Sequence, residues 1–120
     1  MAPPRADFRQ VYAAGKAIAY QPQSEQAVEG YFALTPGGRF DFQRDTTNLT
    51  FYREYINASN YAVGVYMAGA GYSREEALKI SGFWASWFSS NYNDRERQKG
   101  WIEAGWEDAT NGVWKASSAP

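Results

Sequence analysis

The segment Asn57-Ala58-Ser59-Asn60-Tyr61 places two carboxamides, a hydroxyl and a phenol inside an otherwise apolar helical pattern. Asn57 and Asn60 are spaced i, i+3, and Tyr61 follows Asn57 at i+4, so the three share one helix face. Glu54 lies one turn earlier on the same stripe. A carboxylate beside polar groups that orient a substrate or a water is what general acid–base chemistry needs. Partial burial also raises a Glu toward neutrality, where it exchanges protons readily. The plainer reading stays open. Buried polar groups cost about 1–3 kcal/mol each if unpaired, so the two Asn can serve packing alone, and Glu54 can be a solvated partner of a nearby Arg.

Two further stretches carry candidate chemistry. In Asp41-Phe42-Gln43-Arg44-Asp45, strand alternation turns Asp41, Gln43 and Asp45 to one side and Arg44 to the other. Asp41 is a second possible base, or half of a surface ion pair with Arg44 worth about 0–1 kcal/mol. In Asn91-Tyr92-Asn93-Asp94-Arg95-Glu96-Arg97-Gln98-Lys99, three cations follow Asp94 at a helix start. A helix N-terminus binds anions, and Tyr92 offers a face on which a base can stack. Arg44, Arg53 and Arg95 are the cations that could stabilise a phosphorane by bidentate contacts. An N-cap Asp followed by a mixed-charge, solvated turn explains the last stretch equally.

Whatever chemistry there is runs without histidine or cysteine, since the chain has neither. Ser-His-Asp triads, His-based ribonuclease sites, HExxH zinc sites, thiol nucleophiles and disulfides are all excluded. Carboxylates are left as the proton carriers. No Walker A, GxGxxG, GxSxG or EF-hand pattern occurs, and no cofactor or metal is expected. Twelve basic residues stand against 13 acidic ones, so the global basic balance of many nucleic-acid binders is missing, though a local basic face is allowed. No apolar run approaches the roughly 18 residues of a membrane span, and Met1 to Arg5 hold no apolar signal-peptide core.

The elements that must position these groups read as mainly α: about four helices packed in one domain, 1–120, with a small β-hairpin near residues 31–43. Residues 1–5 and 115–120 read as frayed ends. Phe8, Val11, Tyr12, Ala14 and Ile18 fit a helix over 6–20, ended by Pro22. Tyr31–Leu34 and Arg39–Phe42 flank Thr35-Pro36-Gly37-Gly38, a turn signal between two short strands. A longer helix runs from Thr46–Asn48 to about residue 69 and stops at Gly69-Ala70-Gly71. Ser73 and Glu76 form a capping box for a helix with Ala77, Ile80, Trp84, Trp87 and Phe88 on its core face. Asp94 caps a last helix that Asn111-Gly112 ends. Trp84, Trp87 and Trp101 are expected to form the core seam of the last two helices, with Trp106 and Trp114 partly exposed.

The run Asn60-Tyr61-Ala62-Val63-Gly64, followed by Ala68-Gly69-Ala70-Gly71-Tyr72-Ser73, resembles the core motif of the polymorphic toxin type 44 domain. Phe40-Asp41-Phe42-Gln43 is similar to an upstream "D-aromatic-K" element of that family. Asn93-Asp94-Arg95 and Ile102-Glu103-Ala104-Gly105 are similar to its closing helix. The likeness covers most of residues 40–109 through short motifs in matching order. Gln43 replaces an expected Lys, and Gln98 an expected Asp. The resemblance implies a largely helical ribonuclease domain at the end of a larger secreted carrier protein. Such a domain is delivered as an effector into a competing bacterium and neutralised by a cognate immunity protein. It points to Asp41, Asn60, Tyr61, Gly64 and Asp94, while the residues themselves add Glu54 and Asn57. Three functions follow as expectations: a histidine-free ribonuclease acting on RNA; a peptidoglycan glycan hydrolase with paired carboxylates and aromatic sugar platforms; and a non-enzymatic binding module.

Overall fold

A computed structural model of the chain describes residues 6–21, 56–88 and 95–115. Among them are four helices and no strand: α1 (Phe8–Ile18), α2 (Ile56–Gly69), α3 (Arg74–Phe88) and α4 (Arg95–Thr110). The mainly α class expected from the sequence is what the structure shows. The hairpin near 31–43 lies outside the described residues.

Local chemistry sets the helix ends. The Asp7 carboxylate accepts a hydrogen bond from the Arg9 backbone N–H at 3.0 Å and caps α1. Between α2 and α3 the capping box forms in both directions. The Ser73 N–H donates to Glu76 Oε1 at 2.9 Å, and the Glu76 N–H donates to Ser73 Oγ at 3.1 Å. Those bonds hold the Glu76 carboxyl below its ordinary range. Helices α2 and α4 both end in a Schellman motif. Gly71 (φ 90°) and Gly112 (φ 88°) take the left-handed backbone that a side chain resists. The next N–H reaches back five residues in each case, Tyr72 to Met67 O at 3.0 Å and Val113 to Asp108 O at 3.0 Å.

Helix α2 is the middle of the packing, with every residue from 57 to 70 buried or half-buried. An apolar helix without a wet face needs neighbours on several sides. Helix α1 presents Val11, Gly15 and Ile18 to it. Helix α4 presents Gln98, Ile102, Gly105 and Ala109. Glycines bring the backbones together. A Cβ on Gly64 would collide with the Ile102 carbonyl and come within 2.7 Å of the Trp106 nitrogen. One on Gly105 would collide with the Tyr61 carbonyl. Gly15 and Gly69 do the same where α1 crosses α2, against Tyr66 and Tyr12.

Trp101 departs from expectation. It is 40% exposed rather than part of a core seam. Its position is one residue off the buried 98-102-105-109 stripe, which turns it about 100° away. A crossing tight enough to exclude a Cβ also leaves no room for an indole. The side chains of Trp84 and Trp87 lie outside the description.

Candidate functional site

The groups with functional chemistry gather where α1, α2 and α4 meet, and Tyr61 is the hub. Its hydroxyl donates to Asp108 Oδ2 at 2.5 Å and accepts from Trp114 Nε1 at 2.9 Å. Phe8 packs edge-on to its ring, with centroids 4.9 Å apart. Trp101 and Trp114 are edge-on at 6.5 and 6.3 Å. Burial, then the bond to Asp108, pushes the Tyr61 phenol up to about 12. Tyr61 therefore stays protonated at neutral pH and acts as a fixed donor to the Asp108 carboxylate.

Gly112 explains how Trp114 comes to be there. The left-handed turn reverses the chain after α4, so that Trp114 returns over Phe8 at 5.3 Å. The Arg9 guanidinium stands 5.9 Å above the Trp114 ring, a cation–π distance. At the opposite end of the contact, Arg97 Nε donates to Asn57 Oδ1 at 3.1 Å. Arg97 and Trp101 are i, i+4 on α4 and so lie on one face. From one end to the other, the strip reads Arg97 with Asn57, Trp101, Tyr61 with Asp108, Trp114, and Arg9.

The sequence reading placed Asn57, Asn60 and Tyr61 together, and all three are described. Asn57 and Tyr61 both bond to α4, while Asn60 is buried at 6% exposure, next to Ser59 at 6%. Asp41, Arg44, Arg53, Glu54, Tyr92 and Asp94 lie outside the described residues, as does the side chain of Arg95. Of the basic cluster, Arg97 is on the strip. Lys99 is 3.8 Å from Glu96, one turn away on the same helix.

Sequence reasoning missed Asp108, Arg9 and the inward role of Trp114. The 101, 105, 108 spacing does put Asp108 on the Trp101 side of α4. Its significance appears only once Tyr61 is opposite. Trp106 is structural, because its indole N–H donates to the Tyr72 carbonyl at 2.9 Å. No group of three or more acidic side chains gathers as a metal site among the described residues. None of the described helices is long and apolar enough to cross a membrane.

Chemically, the strip offers one carboxylate held by a neutral phenol, two arginines and three aromatic rings near them. That set can accept a proton, neutralise a phosphate and stack a planar ring. No family model, curated protein or solved structure matches the chain.

Proposed function

We propose that this protein is an antibacterial toxin domain that cleaves RNA without histidine. The observation that carries the reading is the Tyr61–Asp108 pair, joined at 2.5 Å on the same α2–α4 contact where Arg97 is held by Asn57. Cleavage by attack of the ribose 2′-OH needs a base, a phosphate cation and an acid for the leaving 5′-oxygen. Asp108 is the base, and Tyr61 orients it by donating one hydrogen bond. Arg97, steered by Asn57, meets the phosphate. Glu54 and Asp41, candidates for the base on sequence alone, take the acid role in this reading, and Arg44, Arg53, Arg95, Tyr92 and Asp94 are the candidates for further substrate contacts. Asn60 supports the face from its buried position.

The motif resemblance supports the biological setting. In that setting the domain is the toxic end of a larger secreted carrier, enters a rival cell and is held in check by an immunity protein. A second reading, a peptidoglycan glycan hydrolase, draws on Trp101 as a sugar platform on the same strip as Asp108 and needs a second carboxyl about 5–10 Å from it.

The purified protein is incubated with a mixed-sequence RNA and, separately, with isolated cell-wall glycan. The expected result is RNA fragments ending in 2′,3′-cyclic phosphate. Asp108→Asn should lower the rate about 10²–10⁴-fold, the usual worth of a positioned base. Intact RNA with released muropeptides would overturn the proposal in favour of the glycan hydrolase. Both substrates intact would leave the binding-module reading.

A further inference from the structure

The rings and cations of the strip specify more than a reaction; they specify the state of the nucleic acid. We infer that the strip binds single-stranded rather than duplex nucleic acid, with Trp101 as the stacking platform; this rests on the ribonuclease reading for its biological meaning but not for its test. Trp101 is the large apolar side chain of α4 left to solvent, at 40% exposure, and its ring is braced by a T-shaped contact with Tyr61 at 6.5 Å. A braced, exposed indole is costly in water and useful to a planar partner. Arginines stand at both ends, Arg97 one turn before Trp101 and Arg9 over Trp114, both exposed. A chain of phosphates with bases on one side matches cations flanking aromatic faces. A duplex does not, because its bases are stacked on each other and their faces are unavailable.

The Arg97–Asn57 bond holds the guanidinium at the edge of the strip rather than free in solvent. The acidic balance of the whole chain sets an upper limit on non-specific attraction, so binding is carried by few phosphates. Two arginine contacts predict a shallow salt dependence, with a log–log slope near −1.4, about −0.7 for each phosphate on a single strand. A protein gripping duplex through many phosphates would show a far steeper one.

The test uses the full chain and a fluorescein-labelled deoxy-oligonucleotide of about ten residues, within the span one small site covers. It has no 2′-OH and cannot be cleaved by 2′-attack. Anisotropy is measured for the single strand and for its duplex. The single strand should bind about tenfold or more tighter than the duplex. Trp101→Ala should weaken it about 5- to 150-fold, the loss of one stacked base, while Trp101→Phe retains most of the affinity. Arg97→Ala should reduce the salt slope by about 0.7. Circular dichroism on each variant checks the fold. Equal binding of duplex and single strand, or a folded Trp101→Ala that binds like the parent, overturns the inference. If RNA is cut in the companion assay regardless of Trp101, the ribonuclease reading stands and this one falls. If the oligonucleotide binds as described while RNA stays intact, this one stands and the ribonuclease reading falls.

Discussion

At Tyr61, one side chain joins packing to chemistry. Its ring is wedged among Phe8, Trp101 and Trp114, and its hydroxyl links Asp108 to the Trp114 indole. Tyr61→Phe keeps the ring and removes the links, so it separates the two roles. It should cost about 2–4 kcal/mol of stability, since two hydrogen bonds go and one of them is to a carboxylate, and leave the helical content unchanged. RNA cleavage should drop by a much larger factor. A calorimetric scan beside the cleavage assay checks this, and unchanged cleavage would reduce Tyr61 to a packing residue. The phenol also has a pH signature. Its folded value of about 12 lies above the ordinary 10.0, because burial and Asp108 disfavour the phenolate. A raised folded value means the contribution to stability is complete below pH 10 and is lost as pH climbs toward 12. Ultraviolet titration of the chain's nine tyrosines should show a late-ionising step near 12 that Tyr61→Phe abolishes. Tyr72 is raised as well, by burial and then by Glu76, so the difference between parent and Tyr61→Phe assigns the step, and a late step unchanged in Tyr61→Phe would contradict the buried, bonded phenol described here. Asn57 and Tyr61 were legible from their spacing alone. Asp108 was not, because a single carboxylate on a mixed-charge helix looks like a solvated one until its partner is opposite.

The elements themselves are written plainly in local sequence. Ser73 and Glu76 announce a capping box and make one, and Asn111-Gly112 announces a helix end and makes one. These signals act over three or four residues, so no tertiary knowledge is needed to read them. Trp101 shows where local reading fails. Core placement was the default for a tryptophan, but the crossing of α4 on α2 is set by Gly64 and Gly105, far apart in sequence. Two predictions belong to this scale. Ser73→Ala removes a cap and should cost about 1 kcal/mol in a thermal melt. Gly112→Ala forces a side chain into the left-handed region and should cost about 1–2 kcal/mol. Because the Gly112 turn delivers Trp114 to Tyr61, that variant should also change the tryptophan emission, which Ser73→Ala should leave unaltered.

Across the molecule, α1 and α4 are clamped on α2 by glycine contacts and by the Tyr61 hub. In the two crossings, the atoms a new Cβ would strike are backbone carbonyls, which cannot swing aside. Gly64→Ala should therefore destabilise by about 1–3 kcal/mol or more, the cost of overpacking a fitted interface. It should also widen the gap between Tyr61 and α4, lowering activity through geometry. Chemical denaturation of Gly64→Ala checks the first effect, and a stability equal to the parent's would mean the helices are not pressed together as described. The mainly α architecture was readable from hydrophobic period. The strip was not, since it draws on residues 9, 57, 61, 97, 101, 108 and 114, and no local pattern joins them.

The proposed ribonuclease activity should kill from inside a cell. It is tested most directly by inducing the chain in a bacterial host, once in the cytosol and once behind a periplasmic signal peptide, with Asp108→Asn in parallel. The cytosolic form should arrest growth and degrade total RNA, with relief by Asp108→Asn at equal protein levels. Killing with lysis from the periplasmic form alone, with RNA intact, would contradict it and assign the Tyr61–Asp108 pair to cell-wall glycan.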